Sequence, residues 1–534
     1  MQKSKNQTFL GGALILILAN LLVKVIGAVF KIPLTNLVGE EAMGLFHVAY
    51  NLYNAMFVLS TAGLPVAVSK MVSEANALGR RREIRRIVAI AFTLFAALGA
   101  VCALILLLGA RPLAGAIGNA DATFAVMAIA PSIFFVAVSS TIRGYYQGLS
   151  NMVPTAISQV IEALMKLVVG YGLAYYMLKA GWDMKYVVAG AISGVTIGTV
   201  LSALYLSIKA RRSLSRLKRK IGREEKCHSP RALTRRLIRI AVPVTIGSPV
   251  LSLTNLIDMG VVMNRLQGAA GLDQTRATEL YGAYSSMGIT LFNLPQTLIT
   301  AVSISCIPAI SAAFARRDRL RANRTIESAM RITMLMALPC AAGFISLAGP
   351  ILNLLYASRP EGVAIATPIL RTLGLAVAFV AMVSLTNAIL QAVGRPQLPV
   401  FSMAVGGVVK LVCNFILVGM PSVNIYGAPI STTLCYGSIM LINLFMLSQV
   451  LRTLPSFRST VVRPALAAGC MGVFTYFTYP VWSGVLGDRL GTVLTICLAA
   501  VLYGVLLLLF RAIRREDVLM LPRGEAIARL LRLK

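Results

Sequence analysis

About fourteen apolar stretches, each long enough to cross a bilayer, follow one another between residues 9 and 511. Inside hydrocarbon an open sheet edge or an irregular loop has no partner for its backbone polar groups, so stretches of this kind fold as helices. The expected fold class is therefore an all-α polytopic membrane protein. Its 57% hydrophobic composition fits that reading.

The polar residues between the stretches order them. The chain carries 51 Lys+Arg against 19 Asp+Glu, a net +32. Alternate loops are strongly basic: Arg80, Arg81, Arg82, Arg85 and Arg86 after the second stretch, and Arg316, Arg317, Arg319, Arg321 and Arg324 after the eighth. The intervening loops are short and mixed, such as Glu40-Glu41 or Asp488-Arg489. The positive-inside rule places the basic loops and both termini in the cytoplasm of a multi-pass plasma-membrane protein. Nucleic acid as a partner is excluded, because no soluble domain presents a basic face. The apolar run after Lys3 and Lys5 continues past Lys24 without a small-residue cleavage motif, so it reads as a retained helix. Seven of the eight cysteines lie in apolar stretches, and none forms a C-x-x-C pair; they read as small core residues.

The expected organisation is an N-lobe over 1–208, a basic cytoplasmic linker over 209–236 and a C-lobe over 237–452. Two further helices fill 453–511, and a basic amphipathic tail over 512–534 lies along the inner leaflet. The linker is a solvated connector that can rest on anionic headgroups. The lobes look like parallel six-helix repeats. Gln147 precedes Lys166 in K-L-V-V as Gln391 precedes Lys410 in K-L-V-C, both nineteen residues apart. Repeats of this kind place a substrate site between halves that rock against one another.

Charges inside such helices mark function, because each is expensive in hydrocarbon. The first stretch, 9–38, carries Lys24 and Lys31 two helical turns apart, with Asn20 near the same stripe and Pro33 breaking its ladder. This face reads as one wall of a wet cationic cavity. The structural alternative pairs Lys24 within the bundle and lets Lys31 snorkel to the interface. His47, Arg371 and Lys410 join the candidate binding set. Glu162 and Lys166, spaced i,i+4 with the acid first, read as a structural ion pair. Asp258, after Asn255 in a stretch broken by Pro243 and Pro249, is the candidate ion-coupling acid for Na⁺ or a proton; pairing with a cavity lysine is the other reading. No Walker loop, H-E-x-x-H or G-x-S-x-G motif occurs, so the expectation is a non-enzymatic transporter without a cofactor. The excess of buried cations favours an anionic ligand, a pyrophosphate or carboxylate headgroup whose lipid tail stays in the bilayer.

The stretches Lys31-Ile-Pro-Leu-Thr-Asn-Leu-Val-Gly, Gly63-Leu-Pro-Val-Ala-Val-Ser-Lys and Arg143-Gly-Tyr-Tyr-Gln-Gly resemble the polysaccharide transporter family of the MOP flippase superfamily, with its stage V sporulation protein B-like and MurJ-type lipid II flippase branches. The resemblance implies two six-helix lobes around a V-shaped cavity, two extra helices, and alternating access that moves a polyprenyl-diphosphate-linked glycan outward, in a protein taken as monomeric. It matches Lys24 to a cavity cation of the first helix and leaves Phe30 and Lys31 competing for a second. It makes Asp258 the candidate for an ion site on helix seven. The alternative within the superfamily is a multidrug or cation antiporter, which acid-rich cavities suit better than lysines do. A reporter fused within 209–236 should read out as cytoplasmic; an extracellular signal would overturn the topology together with the repeats.

Overall fold

The computed structural model describes residues 9–61, 63–219, 228–247, 249–315, 318–395, 397–451 and 458–513. Helix is the only regular structure among them. Arg316, Arg317, the linker over 220–227 and the tail over 514–534 lie outside the described residues. Eleven described stretches are long and apolar enough to cross a membrane.

The chain divides into two compact units, Met1–Gln267 with Asp273–Gly282, and Gly268–Leu272 with Ala283–Lys534. The division falls later than the basic linker that was expected to separate the lobes. Leu237 and Ala241, expected in the C-lobe, lie in an apolar cluster with Ala67, Ile84, Ile142 and Leu206 of the first unit. A charge run marks where the chain meets water; the bundle a helix joins depends on its apolar face.

The first unit contains α1 (Phe9–Val38), α2 (Glu40–Thr61), α3 (Leu64–Ala77), α4 (Arg81–Leu108), α5 (Ala110–Ala116) and α6 (Thr123–Gly148). It continues through α7 (Val153–Met165), a π-turn over Lys166–Gly170, α8 (Tyr171–Lys179), α9 (Met184–Lys218), α10 (Pro230–Gly247), α11 (Pro249–Gly268) and α12 (Gln274–Gly282). Gly39, at φ 89°, reverses the chain between α1 and α2 in a conformation open to glycine. Helix α6 is the most enclosed spanning helix described in this unit and packs on α2, α3, α4 and α9. Without a hydrophobic force between helices in lipid, close approach relies on small residues. Accordingly a Cβ on Gly144 would lie 2.9 Å from the Pro65 carbonyl oxygen, and one on Gly148 would lie 2.7 Å from that of Ser69. Helices α2 and α12 meet the same way: a Cβ on Gly282 would run into the Glu40 carbonyl oxygen, and one on Gly44 into that of Thr278.

The second unit contains a π-segment over Ala283–Gly288, α13 (Ile289–Ala315), α14 (Arg319–Leu355), α15 (Pro360–Ala392), α16 (Gln397–Leu417), α17 (Gly427–Leu451) and α18 (Arg463–Leu509). Here α15 takes the central place, against α13, α14 and α17. Like α6, it closes with the glutamine of the sequence repeat, Gln391 against Gln147. The π-segment frees a carbonyl, and the buried Tyr356 hydroxyl donates to Ser286 O at 3.2 Å. Helix α18 is a hairpin. Its 47 residues break at Gly487, φ 76° and ψ 163°, a conformation that only glycine adopts readily. Ala467, Ala468 and Met471 of one arm then pack with Ala499, Tyr503 and Leu507 of the other. The hairpin holds to α14 through Tyr503 Oη, which donates to Leu335 O at 2.9 Å, and through Ser346 and Thr475, whose hydroxyls are 2.9 Å apart.

Candidate functional site

Several of the candidate residues of the first unit lie on α1, α2 and at the end of α7. Helix α1 lies against α7 and α8, and along it Asn20 and Lys24 are exposed while Lys31 is half-buried. Pro33 lies inside the helix, and Thr35 Oγ1 donates to Lys31 O at 2.8 Å. Gly27, between the two lysines, has nothing within 4 Å of where its Cβ would be, so the helix face there is open.

Glu162 and Lys166 do not form the pair that their spacing implies. Arg143 reaches across from α6, and its Nη2 lies 2.7 Å from Glu162 Oε1. The same guanidinium donates to Ser158 Oγ at 2.9 Å and to Ser202 Oγ at 3.3 Å, which fixes its plane between α7 and α9. A guanidinium with several fixed donors fits such a setting better than an ammonium. Lys166 opens the π-turn and points its Nζ at aromatic faces instead. Its nitrogen is 4.7 Å from the Tyr50 ring centroid, 5.0 Å from Phe30 and 5.7 Å from Phe46. The turn itself is pressed on α9: a Cβ on Gly170 would lie 2.6 Å from Ala191 O, and one on Gly194 would lie 2.5 Å from Gly170 Cα.

His47 is buried one residue beyond Phe46, edge-on to its ring at 5.9 Å, and its Nε2 has no hydrogen-bond partner among the described residues. Lys31 and His47 both lie within Coulombic reach of Lys166. Lys24, Lys31 and Lys166 have no ion-pair partner among the described residues. The structure thus brings Lys31, His47 and Lys166 into one cationic and aromatic cluster. Lys24 and Asn20 lie further along the same helix.

Asp258 is buried on α11, whereas Asn255, three residues before it, is exposed. Next to Asp258, Met259 Sδ accepts from Asn51 Nδ2 at 3.1 Å, and the same amide donates to Tyr281 Oη at 3.2 Å. No three His, Cys, Asp or Glu side chains converge among the described residues. In the second unit Arg371 is exposed on α15 and Lys410 half-buried on α16.

Two cations, one partly buried and one buried, were missed in the sequence. Arg143 lies five residues before the end of α6 and was noticed only inside a motif. Arg331, 1% exposed on α14, lies 3.6 Å from Glu327, whose Oε1 accepts from Ser459 Oγ at 2.9 Å. Its signal was an Arg four residues after a Glu within an apolar stretch.

Removing one partner of a partly buried pair strands the other charge. Glu162→Gln and Arg143→Met should each destabilise the protein by about 2–3 kcal/mol. The double variant should recover part of that loss in thermal unfolding of the purified protein. Equal stability of Glu162→Gln and the wild type would dismiss the Arg143 pairing.

The polysaccharide biosynthesis protein family matches residues 9–314, more than half of the chain, and the MatE family matches residues 282–416. The chain is 26% identical to the stage V sporulation protein B of Bacillus subtilis (strain 168), over 97% of this chain and 98% of that protein. It is 25% identical to the lipid II flippase MurJ of the same organism, over 82% of each chain. In fold it is similar to a solved structure of the lipid II flippase MurJ in an inward closed conformation, with TM-score 0.68, 15% identity, and 92% of this chain and 98% of that chain covered. An inward-facing MATE multidrug transporter gives TM-score 0.65 at 14% identity, over 81% and 95%. Apolar helices of spanning length and these similarities together make the chain an integral membrane protein. It belongs to the polysaccharide biosynthesis protein family.

Proposed function

We propose that the chain is a flippase that moves an undecaprenyl-diphosphate-linked cell-wall precursor, lipid II or a related oligosaccharide lipid, from the inner to the outer leaflet by alternating access. The observation that carries this reading is the set of lysines on α1 and at the π-turn, Lys24, Lys31 and Lys166, left without carboxylate partners among the described residues. A diphosphate needs fixed positive charge where it leaves water, and charge-assisted bonds to phosphate are strong at low dielectric. The aromatic rings around Lys166 hold its ammonium without neutralising it. Asn20, His47, Arg371 and Lys410 complete the proposed substrate-binding set. The names of two relatives, a sporulation protein and a lipid II flippase, support the substrate class. The fold likeness to multidrug transporters suits an antiporter equally, but lysines repel a cationic drug. Both termini are taken as cytoplasmic on the alternation of loop charge.

The test is complementation of a conditional lipid II flippase mutant. Lys24→Ala should abolish rescue at normal membrane abundance, Lys24→Arg should retain most of it, and Lys31→Ala should be damaging to a lesser degree. If Lys24 were buried structurally, an apolar replacement would be neutral or stabilising. Full rescue by Lys24→Met would therefore sink the assignment.

Ion coupling through Asp258, with Na⁺ or a proton, rests on a buried acid in α11. Asp258→Asn should remove the dependence of transport on Na⁺ or pH gradients in vesicles while leaving the protein folded. Unchanged ion dependence in that variant would make the acid structural.

A further inference from the structure

At its basic end, α9 outruns the membrane. Its 35 residues span about 52 Å, against an apolar core of about 30 Å. On this overhang Lys209, Arg212, Ser213 and Arg216 lie at i, i+3, i+4 and i+7, which puts them on one face. That face closes a cleft of about 540 Å³ with the end of α6 and the start of α7. Tyr145 Oη and Ser213 Oγ, 2.7 Å apart, tie α6 to α9 there. Val153 and Ile157 supply the apolar wall, Ile157 being 40% exposed.

The cleft has one sign of charge. Among the described residues no Asp or Glu lines it. Lys209 Nζ lies 5.9 Å from the Tyr205 ring, and Arg212 and Arg216 are exposed without an ion-pair partner among the described residues. Like charges four apart on a helix repel, so an anion lying between them would stabilise this stripe. The uncapped start of α7, where Met152 offers no side-chain bond, adds the positive end of a helix dipole.

We propose that this cleft is a binding site for an anionic phospholipid of the leaflet that faces the basic loops. Lys209, Arg212 and Arg216 hold its phosphate, and Val153 and Ile157 lie along the start of an acyl chain. The lipid source is favoured over a soluble phosphate because the wall opposite the bases is apolar and one of its side chains is open to the surroundings. None of these residues belongs to the transport cluster, so the site is independent of the transported substrate.

The test uses the full chain, purified and delipidated, with binding of phosphatidylglycerol and phosphatidylcholine followed by native mass spectrometry. Arg212→Gln/Arg216→Gln should weaken phosphatidylglycerol binding about tenfold and leave phosphatidylcholine unchanged. The charge-matched pair Arg231→Gln/Arg235→Gln, exposed on α10, should bind as the wild type does. Unfolding temperatures without lipid serve as the folding control, and Arg212→Lys/Arg216→Lys should keep most of the affinity. Undiminished binding by the glutamine pair, or an equal loss in the α10 pair, would overturn the site. Displacement of the lipid by millimolar inorganic phosphate would overturn the choice of a phospholipid.

Discussion

A carboxylate in an apolar bundle closely neutralises one cation, and in the first unit Glu162 is committed to Arg143 at 2.7 Å. Much of the chemistry around α1 follows from that allocation. Lys166 receives three aromatic faces in place of a counter-charge, with the nearest centroid at 4.7 Å. A quadrupole solvates an ammonium but leaves its net charge in place. The positive field therefore extends over Lys31 and His47, where pairing with Glu162 would have quenched it. One hydrogen-bonded arginine thus decides whether its neighbours form a structural cluster or an anion-attracting one.

Close backbone contact sets the framework in which this happens. Glycines at the crossings of α6 with α3, of α12 with α2, and of the π-turn with α9 let the helices approach until carbonyls meet Cα atoms. Interiors packed in this way transmit position accurately. The site is consequently held by backbone surfaces as much as by side chains, with Arg143 bridging α6, α7 and α9.

The fold was legible in the sequence because a bilayer leaves the backbone so few choices. The long apolar runs are helices, and the break between the last two falls at Gly487, beside the Asp488 that marked the expected loop. The site was legible only in part. Lys24 and Lys31 stood out because a lysine within an apolar run is conspicuous, whereas Arg143 sat near a segment end, where arginines commonly reach solvent. The Glu162–Lys166 expectation assumed a regular α-helical register, and nothing in K-L-V-V-G announces a π-turn. Loop charge reports exposure and carries no information about packing partners, so it gave no sign that Leu237 and Ala241 join an apolar cluster with Ile84 and Leu206. Asn255 and Asp258 were grouped by spacing, yet only the acid is buried.

The π-turn over Lys166–Gly170 has a consequence that concerns length instead of chemistry. Such a turn is an α-helix carrying one surplus residue. The path from α7 to α8 is therefore one residue shorter than the sequence that follows it. Deleting one residue of this stretch should restore a regular ladder with both flanks near their present faces, because the wide turn absorbs the surplus residue. Adding a further residue would instead rotate one flank by about 100° relative to the other. Either α8 would turn away from α9, or α7 would carry Glu162 away from Arg143. The surplus residue lets one helix stay against α9 through both of its halves while Glu162 of the first half remains paired with Arg143.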